Sequence, residues 1–194
     1  GFYYSTLLGC NKGAVAECPK TWADLFDTKK FPGKRSFYKW STPGVLEAAL
    51  LADGVSPDKL YPLDLDRAFK KLDTIKGDIV WWATGAQSQQ LLASAETPYG
   101  AFWNGRLNAV ADSGIAVEMS WDRNIIAADL LVVPKGTKNH DAAMKFIAFA
   151  TSAESQAAMA KGTGYAPTNL DSRKLMDPAV AKTLPDQQTE TQIN

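Results

Sequence analysis

Arg106 follows Trp103-Asn104-Gly105, which closes one apolar run, and Asp129 lies within the next, Ile125-Ile126-Ala127-Ala128-Asp129-Leu130-Leu131-Val132-Val133-Pro134. A cation and an anion at neighbouring strand ends can grip a small molecule bearing both charges. The guanidinium would take a carboxylate by a bidentate pair, and the carboxylate would take an ammonium. Most arginines and aspartates are solvated surface groups, but a carboxylate flanked on both sides by aliphatic residues is costly to bury unless it is paired or stands at a cleft. Trp103 and Tyr165 each end an element next to a glycine-containing turn. Aromatic faces there can line a cleft and hold an ammonium by cation–π attraction, with core packing as the alternative. The expected partner is a small zwitterionic or cationic solute.

Other chemistries lack their residues. His140 is the sole histidine and lies in the polar entry to a helix, so a Ser-His-Asp or Cys-His arrangement has no support. Neither the lone His nor the Cys pair offers converging metal ligands. Gly162-x-Gly164 lacks the third glycine and the following helix of a dinucleotide loop, and no Walker-type lysine loop exists. The expectation is therefore no catalytic residue, no metal and no cofactor. An enzyme on this scaffold would have only Asp129 and Glu118 as candidate acids.

The 194 residues are 45% hydrophobic, enough for a substantial core, and 21 basic residues balance 21 acidic ones. That balance leaves no broad field for nucleic acid or an anionic membrane. No apolar run approaches the roughly 20 residues needed to span a bilayer. Cys10 and Cys18 flank a short polar loop. Their spacing suits a disulfide worth roughly 2–3 kcal/mol in the chain-entropy model, implying an oxidising compartment such as a periplasm; two buried, reduced thiols are the alternative.

Strands and helices alternate along the chain. Strands are expected at 2–8, 36–40, 78–82, 99–103, 115–121 and around Asp129. A capped helical turn is expected at 21–26. Thr42 as N-cap and Pro43 at the first helical position open a helix through Leu46, Ala49 and Leu50, whose N-terminus, with Ser41 and Thr42, suits an anion. Asp64 caps a helix through Ala68, Phe69, Leu72 and Ile75; further helices cover 88–95 and 106–111. Asn139 caps a helix buried through Ala143, Phe146, Ile147 and Ala150. Thr151-x-x-Glu154 reads as a capping box for the last helix, which ends at Gly162. Residues 187–194 read as a loose end or a cut helix. The alternation argues an α/β fold with a mixed sheet, where ligands sit at the carboxyl ends of strands.

Several motifs, spread nearly end to end, resemble the solute-binding proteins of bacterial ABC importers, in the spermidine and putrescine branch. They are Thr21-Trp22-Ala23-Asp24-Leu25, Pro32-Gly33-Lys34-Arg35, Leu60-Tyr61-Pro62-Leu63-Asp64, Trp103-Asn104-Gly105, Asp129 before Val133-Pro134, and Gly164-Tyr165-Ala166-Pro167-Thr168-Asn169. The resemblance implies that Asp129 binds an ammonium and that Trp103 and Tyr165 line the cleft.

Two departures change the expected ligand. Ser41-Thr42-Pro43-Gly44 stands where polyamine binders often carry acidic residues, and Arg106 would oppose a diamine. Two like charges ~5 Å apart cost about 3 kcal/mol at an effective dielectric near 20, roughly a hundredfold in affinity. The Arg106/Asp129 pairing looks like that of family members that bind γ-aminobutyrate. Ligand-binding roles are thus expected for Arg106, Asp129, Trp103, Tyr165, Ser41 and Thr42. A spermidine or putrescine binder is the alternative, and a sensor that docks on a receptor is a third reading.

The resemblance further implies a periplasmic location, a membrane permease as partner, and a periplasmic binding protein type II-like lobe, a fragment of the two-lobe fold. Residues 1–128 would form the main lobe, 129–150 a strand and helix of the hinge or other lobe, and 151–194 a return to the main lobe with a C-terminal tail. Apolar surface left uncovered in such a fragment favours self-association.

Overall fold

The structure, a computed structural model, describes residues 1–41 and 43–193. Six strands build one mixed sheet: β1 (Phe2–Asn11), β2 (Arg35–Tyr38), β3 (Ile79–Trp82), β4 (Tyr99–Trp103), β5 (Val117–Asp129) and β6 (Ala166–Pro167). The helices are α1 (Trp22–Phe26), α2 (Val45–Ala52), α3 (Leu65–Asp73), α4 (Gly85–Ala93), α5 (Asn104–Asp112), α6 (His140–Ala150), α7 (Ala153–Thr163) and α8 (Pro178–Lys182). The strand order is β3-β2-β4-β1-β5, with β6 also on β1. β2 runs parallel to β3 and β4, whereas β1 is antiparallel to β4, β5 and β6.

β1 is buried from Ser5 through Asn11 because both faces of the sheet are covered. Leu8 and Cys10 pack with Trp22 and Leu25 of α1, Ala49 and Leu50 of α2, and Ala68 and Leu72 of α3. Leu7, on the opposite face, packs with Leu92 of α4, Phe102 of β4, and Leu107 and Val110 of α5. Register agrees with this split, since Leu7 pairs with Phe102 and Leu8 with Ala101. Cys10 and Cys18 form the disulfide, with Cα atoms 5.9 Å apart. The Pro32-Gly33-Lys34-Arg35 motif proves structural. Arg35, fully buried, donates to the carbonyls of Leu25, Phe31 and Gly33 at 2.5 to 3.1 Å and lies over the Tyr99 ring.

Several elements differ from the sequence reading. The strands expected at 115–121 and around Asp129 are one strand, β5. Its polar stretch Trp121-Asp122-Arg123-Asn124 bulges between the pairs Leu8–Ser120 and Thr6–Ile125, with Arg123 in the left-handed region, rather than forming a turn. β5 ends at Asp129, and Leu130 to Val132 are exposed loop residues.

The α2 helix starts at Val45 behind Gly44, not at Pro43; Thr42 lies outside the described residues. Glu47 accepts the Gly44 N–H at 2.7 Å, so that amide is already satisfied and is not free for an anion. The α7 cap is Ser152, which accepts from Ser155 N–H, rather than Thr151, and the helix continues through Thr163 to a left-handed Gly164.

No residue of α6 is buried, and Phe146 is 60% exposed, against the expectation of a buried helix. Apolar spacing reports which face seeks cover, not whether cover is present. The tail is not loose either. Ile193 is buried, and it bonds through its backbone to Asn124 and Ile126, flanking Ile125 at the β5 edge.

Candidate functional site

A cavity of about 260 Å³ opens where the carboxyl ends of β2, β4 and β5 meet the amino end of antiparallel β1. Its walls are Phe2, Tyr4, Tyr38, Trp103, Arg106, Asp129 and Tyr165. Register places them there: Phe2 pairs with Asp129 on one side and with Pro167, two residues after Tyr165, on the other. Phe2 and Tyr4 are two apart and share one face of β1.

Packing holds the aromatic walls. Phe2 stacks on Tyr165 with centroids 4.9 Å apart, and Tyr4 meets Trp103 and Tyr165 edge-on. Trp103 is wedged between Tyr38 and the buried Trp82, each at 4.9 Å. Buried Asn104 accepts from Ser5 N–H at 3.1 Å and donates to the Gly164 carbonyl at 2.7 Å, which ties β1 to the turn bearing Tyr165. Gly105 completes the Trp-Asn-Gly motif by close approach, since a Cβ there would stand 2.6 Å from Tyr165 Cε1.

Arg106 falls in the first turn of α5, whose N-terminus has no side-chain cap, so helix dipole and guanidinium both favour an anion at this end. It is half-buried. Its Nη1 donates to Gln89 Oε1 at 3.5 Å, and its buried Nε has no protein partner. Asp129 is exposed at the rim where β5 ends, on the cavity wall rather than buried among its aliphatic neighbours. Among the described residues neither Arg106 nor Asp129 is in a salt bridge. Two opposite charges therefore face one cavity with their capacity for ion pairing unspent.

Burial pushes the Tyr4 phenol above its ordinary range, and the Asp129 carboxylate adds to the rise. Burial raises Tyr165 as well, against the pull of the Arg106 guanidinium. Both phenols stay neutral at physiological pH and serve as walls and hydrogen-bonding groups rather than charges.

Of the residues singled out from sequence, Arg106, Asp129, Trp103 and Tyr165 converge on the cavity. Ser41 is exposed and does not line it, and Thr42 lies outside the described residues. Phe2, Tyr4 and Tyr38 were missed. The i, i+2 aromatics of β1 and the aromatic end of β2 were the available signal, masked because aromatic strands usually mean core. A larger cavity of about 450 Å³ between α7 and α8 has only exposed charges, Glu154, Lys161 and Asp177, and no aromatic wall.

Residues 1–186 match the model of the bacterial extracellular solute-binding proteins. The chain belongs to that family. It is 35% identical over 189 residues to the γ-aminobutyric acid-binding protein of Pseudomonas aeruginosa, covering 95% of this chain and 53% of that one. Identity to the spermidine/putrescine-binding periplasmic protein of Escherichia coli is 27% over 197 residues, covering 95% and 54%. The chain thus spans about half the length of these curated relatives. Among solved structures, a GABA receptor superposes with TM-score 0.94 at 73% identity, covering all of this chain and 60% of that one. An ABC transporter substrate-binding protein from Bradyrhizobium japonicum superposes with TM-score 0.89 at 40% identity, covering 99% and 61%. The mixed sheet flanked by helices is the lobe architecture these proteins share.

Proposed function

We propose that this chain supplies the ligand-binding wall of an ABC-transporter solute receptor for a short ω-amino acid such as γ-aminobutyrate. Arg106 takes the carboxylate, Asp129 takes the ammonium, and Trp103, Tyr165, Tyr4 and Phe2 enclose the methylenes. The observation that carries this reading is the pair of unspent opposite charges on one aromatic cavity. The names of two relatives, at 35% and 73% identity, agree with it.

A polyamine ligand has support from relatives at 27–29% identity and from the aromatic walls. Against it stands Arg106, since a like charge at one end of the cavity disfavours a second ammonium. The receptor would work in the periplasm and hand its solute to a membrane permease without covalent chemistry. Residues 129–150 would belong to the hinge and second lobe, which is supported by the end of β5 at Asp129 and by an α6 with no buried residue.

Calorimetric titration of γ-aminobutyrate, putrescine and spermidine into the full-length protein tests the proposal. Binding of the amino acid at least tenfold tighter than either polyamine is expected. Tight putrescine binding with none for the amino acid would remove the role given to Arg106.

A further inference from the structure

Gly85 opens α4, yet its backbone is not in the left-handed region, so conformational freedom does not call for glycine there. What calls for it is Arg106. A Cβ on Gly85 would stand 2.6 Å from Arg106 Cζ and 2.9 Å from Cδ, and closer still to Nε. Gly85 is buried, does not line the cavity, and packs closely against the guanidinium that does, as a seat.

The seat is braced. Thr84 Oγ1 accepts from Gln87 N–H at 3.2 Å, Gln87 Oε1 accepts from Ala83 N–H at 2.9 Å, and buried Ser88 donates to the Gly85 carbonyl at 2.8 Å. One turn on, Gln89 receives the protein hydrogen bond of the guanidinium, a long one at 3.5 Å. Arg106 is therefore positioned by a floor, one weak lateral contact and the neighbouring Tyr165 phenol, with the rest of its donors left for a ligand.

We infer that Gly85 and Gln89 are positioning residues that set how far the Arg106 guanidinium reaches into the cavity, and hence which length of ω-amino acid spans from Arg106 to Asp129. This rests on the ligand reading above. Ordinary carbon contact lies at ~3.5–4.0 Å, so a methyl at position 85 must move the guanidinium by about 1 Å, away from α4 and toward the cavity. That is comparable to the length of a single carbon–carbon bond, ~1.5 Å. A shorter ligand then fits better. A glutamate at position 89 would instead hold the guanidinium in an ion pair and compete with the ligand carboxylate.

The test is titration of β-alanine, γ-aminobutyrate and 5-aminovalerate into the full-length protein and its Gly85→Ala and Gln89→Glu variants, with putrescine as a ligand lacking a carboxylate. Gly85→Ala is expected to shift the affinity ratio at least tenfold toward the shorter amino acid. Gln89→Glu is expected to weaken all three amino acids at least tenfold without weakening putrescine. Should Gly85→Ala fail to fold, the Gln89→Glu result decides alone. An unchanged ratio between the amino acids in Gly85→Ala together with unchanged amino-acid affinities in Gln89→Glu, in a protein whose amino-acid binding is lost on Arg106→Gln, would overturn this inference and leave the ligand reading intact. Wild-type protein that binds none of the three amino acids would overturn both.

Discussion

Replacing Asp129 with Asn removes one charge at the cavity rim while nearly preserving side-chain volume. An ammonium ~4 Å from a carboxylate gains about 1 kcal/mol in bulk water and about 4 kcal/mol at an effective dielectric of 20. Asp129 is exposed at the end of β5, which pulls the value toward the lower limit, whereas the surrounding Phe2, Tyr4 and Tyr165 exclude water on one side and pull it upward. A loss of ~2–3 kcal/mol follows, roughly thirty- to 150-fold in Kd. Folding stability should stay within ~0.5 kcal/mol, because Asp129 makes no side-chain hydrogen bond or salt bridge among the described residues. The Tyr4 phenol, raised in part by this carboxylate, should titrate lower in the variant. Calorimetry gives Kd, denaturant melts give stability, and ultraviolet titration follows the phenols. A Kd changed by less than threefold would refute the assignment of Asp129 to the ammonium.

Arg106→Gln should lower γ-aminobutyrate affinity by at least tenfold and improve putrescine binding; parallel changes for both ligands would contradict charge selection, and competition titrations read the difference. Cys10→Ala/Cys18→Ala opens the covalent loop and should lower stability by roughly 2–3 kcal/mol in the chain-entropy model, visible in denaturant melts. Tyr61 is pushed up to about 12 by burial and by Glu47, so its folded form holds the proton longer than the unfolded form does. Its contribution is complete below pH ~10 and is lost as pH rises toward 12, and Tyr61→Phe should shrink the stability lost across that window in denaturant melts. The 194-residue chain expressed alone presents Leu130, Val132, Phe146 and Phe149 at 60–78% exposure and should self-associate in light scattering. Phe146→Ser with Phe149→Ser should reduce that association, and a monodisperse wild-type monomer would contradict it.

The α/β alternation, the mixed sheet and two of the helix caps were legible because they rest on local chemistry: Asp64 accepts from Arg67 N–H, and Thr21 and Asp24 cap each other's ends of the first turn of α1. The four residues that meet at the cavity were legible from charge and motif. The fusion of two expected strands into β5 was not, because a polar bulge and a polar turn share composition, and only the partner strand distinguishes them. Exposure of α6 was hidden for a related reason, since an amphipathic stripe looks the same with or without its partner. Phe2, Tyr4, Tyr38 and the Gly85 seat escaped because their roles arise from register and close approach between elements distant in sequence.

A crystal structure of the full-length protein with γ-aminobutyrate tests the central claim most directly. The ligand carboxylate is predicted within hydrogen-bonding distance of the Arg106 guanidinium, its ammonium within that distance of the Asp129 carboxylate, and its methylenes against Trp103 and Tyr165. A ligand bound in the reverse direction, or seated without touching either charge, would contradict the account.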